Sequence, residues 1–227
     1  MIATAKAVRK TNKSKTIKGE ETSIKIILAT LNIIKREGMR GVRHRAVASE
    51  AGVPLGTTTY HFKNIEELIV SSFSYWRVQA DISTNPLVVT IEDYLTNNTP
   101  QLISTNDGRH KLAKAIYEYI VDFEIDQIEN HYDNRVIELA FYHESLHNDR
   151  LRKEVFAYWN NELVHLTRFY QLARTNSPEA DARITQSIFH QLEREAMMLG
   201  DDYDINVIHN VLKRMVGGIF NVDISAL

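Results

Sequence analysis

Apolar residues along this chain recur mostly at spacings of three and four, which is the period of an amphipathic helix. Alternating patterns typical of strands are few, and only four prolines and nine glycines interrupt the 227 residues. The pattern predicts an all-α protein whose apolar stripes form a core or helix–helix contacts. The predicted helices of the longer C-terminal part cover residues 109–128, 132–147, 150–174, 179–199 and 204–220, after a helix near 87–95.

The N-terminal part predicts four further helices. The first begins after Thr22 and Ser23, whose hydroxyls can cap it, and ends before Gly38, because glycine readily adopts the left-handed conformation. Short helices are expected from Arg45 to Ala51 and from Thr57 to Phe62, and Asn64 with Glu67 three residues later predicts a capped helix through Trp76. The apolar stripe of the first helix is Ile24, Ile27, Leu28, Leu31 and Ile34.

Charge is divided unevenly although the net charge is only −2. Residues 1–63 hold thirteen Lys and Arg against four Asp and Glu, and the rest of the chain holds fourteen against twenty-five. A basic segment joined to an acidic body indicates a polyanion-binding module. The absence of cysteine excludes disulfides, thiolate nucleophiles and cysteine-ligated metals. With no long apolar run and no secretory signal, we expect a cytoplasmic protein that does not contact a membrane.

Residues 45–62 have the pattern of a helix-turn-helix. Ala48 is small where two helices must cross, and Gly52 follows where the chain needs a tight turn. The second helix contains three consecutive threonines, which are poor helix formers. Their hydroxyls and methyl groups suit phosphates and base edges, so we interpret this helix as a DNA-recognition element. Longer hydrogen-bonding side chains follow at Tyr60, His61 and Lys63.

This part of the chain, from about Thr22 to Phe73, resembles the TetR family of bacterial transcriptional regulators. The resemblance implies a three-helix DNA-binding head, a helical effector-binding body and a homodimer. Arg43 stands where the family usually has a Thr or Ser cap, and Lys63 is expected to replace a phosphate-binding lysine whose usual position is Ile65. The residues that carry the resemblance are Gly38, Gly41, His44–Ala48, Glu50–Val53, Pro54–Phe62 and Glu66–Leu68.

We therefore expect three functional segments. Residues 1–19 form a basic flexible arm, which either only solubilises the chain or adds DNA contacts, 20–66 form the helix-turn-helix domain, and 67–227 form a helical ligand-binding and dimerisation domain. Phe62 is expected in the core. The expected DNA-binding residues are Arg43, His44, Arg45, Thr57, Thr58, Thr59, Tyr60, His61 and Lys63.

One motif indicates a different class of function. The segment His143–His147 reads H-E-x-x-H on a predicted helix, the signature of zinc peptidases, with Glu144 as the base. No strand is predicted that would align a peptide, and no third ligand stands out among Glu154, Glu162 and His165. A metal-sensing regulator that uses His143 and His147, or a zinc peptidase, remains as an alternative.

The preferred interpretation is a transcriptional regulator and not an enzyme, because no other catalytic motif is present. We expect a homodimeric repressor that is released from double-stranded operator DNA by a small-molecule effector bound around residues 86–175. The helices at 179–199 and 204–220 are expected to pair with their symmetry mates. No cofactor or metal is expected, and the sequence does not identify the effector or its binding residues.

Overall fold

The computed structural model describes residues 2–80, 85–223 and 225, with the backbone alone for residues 2–18. This part of the chain contains ten α-helices, two short 3-10 turns (Met39–Gly41 and Gly200–Asp202) and no strand, so the predicted all-α class is confirmed. None of the described helices is long and apolar enough to cross a membrane. The helices are α1 Ile2–Glu37, α2 His44–Ala51, α3 Leu55–His61, α4 Ile65–Gln79, α5 Pro86–Leu102, α6 Asn106–Asn130, α7 Tyr132–Ser145, α8 Asp149–Leu172, α9 Pro178–Leu199 and α10 Asn206–Phe220.

The first helix differs from its prediction at the start and agrees at the end. Thr22 and Ser23 lie inside α1 and not at its N-terminus, so the predicted cap is wrong. Of the predicted apolar stripe, Ile27, Leu31 and Ile34 are buried, whereas Ile24 and Leu28 are 41 % and 45 % exposed. The helix ends before Gly38 as predicted, and Gly38 has a positive φ of 69° that favours glycine, but its ψ of −175° is not that of the left-handed conformation predicted for it.

Two compact units divide the chain. The first consists of the residues up to Gln79 together with Val136–Val155. Its core contains α1, α2 and α4, and Phe73 and Trp76 of α4 pack on Phe141 with ring centroids 5.1 and 6.1 Å apart. The predicted basic arm covers residues 1–19, and its side chains up to residue 18 lie outside the described residues.

The second unit consists of Ala80–Arg135 and the residues from Phe156 onward. Its core is built from α5, α6, α8, α9 and α10 around fully buried residues such as Leu95, Ile116, Tyr170 and Ile208. At the junction of α5 and α6, the Thr105 hydroxyl accepts a hydrogen bond of 3.0 Å from the backbone N–H of Gly108 and so caps α6.

Three helix ends lie away from their predicted positions. The helix predicted near 87–95 extends to Leu102 and includes Pro100 in its last turn. The helix predicted over 132–147 ends at Ser145, and the one predicted over 150–174 ends at Leu172. Arg174 then takes a left-handed φ of 55°.

Candidate nucleic-acid interface

The turn between α2 and α3 has the geometry that its residues predict. Gly52 ends α2 with a φ of 59°, and the N–H of Val53 donates to the carbonyl of Ala48 at 3.0 Å, which closes the end of the helix. Val47 and Ala48 are buried at the crossing of the two helices. The turn therefore fixes the direction of α3 by backbone hydrogen bonds and by contact between small side chains.

Helix α3 presents one polar face to solvent. Tyr60 is 84 % exposed, and its ring meets that of His61 edge to face with centroids 5.3 Å apart. Thr59 is also exposed and donates its hydroxyl to the carbonyl of Gly56 at 3.1 Å, whereas Thr57 and His61 are half-buried. Phe62, directly after α3, is buried in the core as predicted.

Thr58 does not belong to this exposed face. Its side chain is fully buried, and its hydroxyl donates to the carbonyl of Leu55 at 2.8 Å. A residue in that position cannot reach a base edge without leaving the core. The three consecutive threonines therefore divide into one buried residue and two residues on the outer side, because successive helix positions are rotated by about 100°.

The predicted cations lie at the ends of the two short helices. Arg43 is exposed at the N-cap of α2 and makes no side-chain cap, as expected for a guanidinium that has no acceptor atom. Arg45 is exposed one residue inside α2. His44, between them, is half-buried, and its buried Nδ1 has no hydrogen-bond partner among the described residues.

A capping arrangement at the start of α4 fixes the position of Lys63. The Asn64 side chain accepts a hydrogen bond from the N–H of Glu67 at 2.8 Å, and the Glu67 carboxylate accepts one from the N–H of Lys63 at 2.9 Å. The first of these bonds is the predicted cap by Asn64. In the second, Glu67 accepts from the N–H of Lys63, one residue before the N–H that a capping box uses. The Lys63 side chain is exposed, and the backbone that carries it is held in place by these hydrogen bonds.

Sequence reasoning missed one cation beside the turn. The ammonium of the exposed Lys25, on α1, lies 3.9 Å from the position that a Cβ on Gly52 would take. In the sequence, only the place of Lys25 on the predicted first helix indicates that it could lie near this turn. Arg36, another exposed cation of α1, is engaged by Glu37 and Glu50 at 2.9 and 3.2 Å, which reduces its availability for phosphate.

The H-E-x-x-H motif does not have its predicted geometry. Because α7 ends at Ser145, His147 lies in the following turn and not one helical turn beyond His143. Both histidines are exposed. Among the described residues, neither lies close enough to two other His, Asp or Glu side chains to form a group that could hold a metal ion. The structure therefore supports neither a metal-sensing site nor a zinc peptidase site at this motif.

Comparisons with known proteins give both a sequence match and a match of fold. Residues 26–71 match the sequence model of the bacterial regulatory proteins of the tetR family. No curated protein sequence matches the chain.

Three solved structures represent the match of fold. A transcriptional regulator from Streptomyces coelicolor A3(2) is 21 % identical, with 86 % of this chain and 98 % of that chain covered and a TM-score of 0.60. A TetR-family member from Streptomyces coelicolor A3 is 24 % identical, with 86 % and 98 % covered and a TM-score of 0.57. The multidrug binding protein EbrR, complexed with proflavin, is 22 % identical, with 86 % and 99 % covered and a TM-score of 0.53.

The match over residues 26–71 contains the whole of α2 and α3, the turn between them and the capped start of α4. The solved structures share the fold over most of this chain and nearly all of theirs. Residues 26–71 therefore have the sequence pattern of the tetR family of bacterial regulatory proteins, and the chain shares its fold with solved transcriptional regulators.

Proposed function

We propose that this protein is a homodimeric repressor that binds a two-fold operator through α3 and leaves it when a small-molecule effector binds. The observation that carries the proposal is the exposed face of α3, which follows a rigid turn and ends beside Lys63. A helix-turn-helix protein places such a second helix in the major groove. We assign DNA binding to residues 20–66, and effector binding and dimerisation to 67–227, with the cytoplasm as the place of action.

The DNA contacts follow from exposure and chemistry. Arg43, Arg45 and Lys63 are exposed cations suited to phosphate, and the side chains of α3 are suited to base edges. Thr58 is left out because it is buried. The proposed contacts are Arg43, His44, Arg45, Thr57, Thr59, Tyr60, His61 and Lys63, with Lys25 as an additional phosphate contact.

A groove between α9 and α10 supports the dimer. It has a volume of about 590 Å³ and is lined mainly by apolar side chains, including Ile184, which is 47 % exposed, and Ile188. Gly218, also in its lining, has open space where a Cβ would point, so another helix can approach closely. A second copy of the same two helices would cover this apolar surface by two-fold symmetry.

The effector part of the proposal is supported by the size of the second unit and by the fold that it shares with EbrR, a protein known in complexes with proflavin, imidazole and ethidium. An effector can release operator DNA only if it binds the DNA-free conformation more tightly than the DNA-bound one. We propose that effector binding favours a spacing of the two α3 helices that no longer fits successive major grooves.

The test selects an operator from a random duplex library with the full-length protein and measures its affinity by electrophoretic shift. Tyr60→Phe keeps the ring and removes the exposed hydroxyl, and we expect it to lose about 1–3 kcal/mol on the operator and little on random DNA. Lys63→Ala should weaken binding to all sequences and flatten the salt dependence by about one unit of log–log slope.

Glu66→Ala is the matched control, because Glu66 is exposed beside the same cap and carries no proposed DNA contact. It should leave sequence preference unchanged. Selection of no sequence above random DNA by the wild-type protein would contradict the proposed operator-binding function.

A further inference from the structure

The second unit contains a carboxyl group that its own neighbours leave unsatisfied. Glu124 lies within α6, and its side chain is fully buried. Neither of its carboxylate oxygens has a hydrogen-bond partner among the described residues. A buried polar group without a partner is costly in a folded protein, and a charged one more so, which means that such a group calls for a physical explanation.

A single guanidinium, that of Arg135, opposes the effects that raise the pKa of Glu124. Arg135 of α7 donates to both carboxylate oxygens of Glu193 of α9, at 3.3 Å each. Burial, and after it the negative charge of Glu193, raise the pKa of Glu124, while the positive charge of Arg135 opposes them. The guanidinium that opposes the pKa rise of Glu124 is therefore hydrogen-bonded to a second carboxyl group, that of Glu193.

A second unsatisfied polar atom lies on another element of the same unit. Tyr203, between the 3-10 turn Gly200–Asp202 and α10, has a buried hydroxyl without a hydrogen-bond partner among the described residues. Burial, followed by the negative charges of Glu195 and Glu124, raises the pKa of Tyr203 to about 12. The hydroxyl therefore stays protonated at neutral pH and can donate or accept a hydrogen bond.

The surroundings of Glu124 favour an organic cation over a metal ion. Ile120, one helical turn away, is buried, and the adjacent Phe123 stacks on Phe189 of α9 with ring centroids 5.9 Å apart. Mg²⁺ and Ca²⁺ take about six or more oxygen ligands, which the two oxygens of Glu124 and the Tyr203 hydroxyl do not supply. Apolar and aromatic residues on the same helix suit a cation with an apolar or aromatic body.

We propose that Glu124 anchors an effector site that takes an organic cation, with Tyr203 as the second hydrogen-bonding group. This inference rests on the proposed function, since it names the class of effector. The cation supplies the missing positive charge and replaces the proton on Glu124, which passes to solvent. A neutral or anionic ligand leaves the carboxyl uncompensated.

The test compares the full-length wild type with Glu124→Gln and with Glu129→Gln, an exposed glutamate on the same helix as the control. The probes are the aromatic cation proflavin, its parent ring acridine, which is uncharged near neutral pH, and the smaller cation benzyltrimethylammonium. Binding is measured by fluorescence titration and by thermal unfolding. We expect both cations to raise the Tm of the wild type and of Glu129→Gln, and to bind Glu124→Gln about tenfold or more weakly. Acridine should bind all three proteins weakly and alike.

Tyr203→Phe provides a second variant that removes only the hydroxyl, and it should weaken cation binding about threefold or more. Equal cation affinity of the wild type and Glu124→Gln, or no binding of either cation to the wild type, would overturn the proposal. A rise in Tm with Mg²⁺ that depends on Glu124 would overturn it as well.

Operator release is measured separately with benzyltrimethylammonium, because proflavin itself intercalates into DNA. Cation binding that depends on Glu124 but leaves the operator complex intact would support this site and contradict effector-controlled repression. Release of operator by a cation that binds wild type and Glu124→Gln equally would support effector control and overturn this site.

Discussion

Gly108 is a residue at which a single methyl group decides stability. It is buried in the first turn of α6, and a Cβ there would collide with the carbonyl of Leu102 at the end of α5. We expect Gly108→Ala to lower the free energy of unfolding by about 1–3 kcal/mol, as overpacking does in other cores, measured by urea denaturation. Gly19→Ala is the control, since Gly19 has open space in α1. It should leave stability unchanged or raise it by up to about 1 kcal/mol, and equal losses in both variants would contradict the explanation.

Glu124 makes a second prediction at the scale of one residue. Because burial raises its pKa in the folded protein above 4.5, the native state binds this proton more tightly than the unfolded chain does. Its favourable contribution is complete below about pH 4.5 and is lost as the pH rises through the folded-state pKa. Glutamine does not titrate, so the stability advantage of Glu124→Gln over wild type should grow as the pH rises above about 4.5. Urea denaturation at several pH values measures this difference, and a constant difference would contradict the assignment.

At the scale of one element, α4 depends on its cap. Asn64 and Glu67 together satisfy two backbone N–H groups at the start of the helix. Asn64→Ala should cost about 1 kcal/mol of stability and should also weaken DNA binding, since the same cap holds the backbone of Lys63. Glu66→Ala, at an exposed position in the same turn, should do neither. If Asn64→Ala lost stability without any change in DNA affinity, the cap would not be needed to position Lys63 for DNA binding.

The elements show which parts of the structure are local enough to be predicted from sequence. The left-handed Gly52 and the cap at Asn64 depend on residues a few positions apart, and both were predictable. The burial of Thr58 was not, because three equal side chains carry no sign of which one points into the core. The unsatisfied carboxyl of Glu124 was also invisible, since its neighbours Arg135 and Glu193 come from other helices.

At the scale of the whole molecule, the helix pattern predicted the ten-helix order well but not the division into units. Both α7 and α8 belong partly to each unit, as Arg135 and Phe141 of α7 illustrate. Such a division follows from packing between residues far apart in sequence, which periodicity does not encode. The two C-terminal helices were predicted to pair with their symmetry mates, but not which residues of α9 face outward: Ile184 is exposed, whereas Leu192 is buried within its own unit.

The proposed dimer contact is tested at Ile184, which is exposed on α9. Ile184→Asp places a charge in the groove between α9 and α10 and should convert the dimer to a monomer at micromolar concentration in sedimentation experiments. Operator affinity should fall about tenfold or more, because one α3 helix reads only half of a two-fold site. Val89→Asp is the control, since Val89 is similarly exposed on α5. A monomeric wild type, or a fully dimeric Ile184→Asp variant, would contradict the proposed assembly.

The proposed site at Glu124 also bears on how long the protein survives in a cell. A native state that carries an uncompensated buried group spends a larger fraction of its time unfolded, and cellular proteases degrade unfolded chains. A cation that binds only the folded protein lowers that fraction by mass action. A carboxyl that recognises the effector would therefore make the half-life of the protein depend on the supply of that effector, so the amount of the protein would record past exposure as well as present concentration.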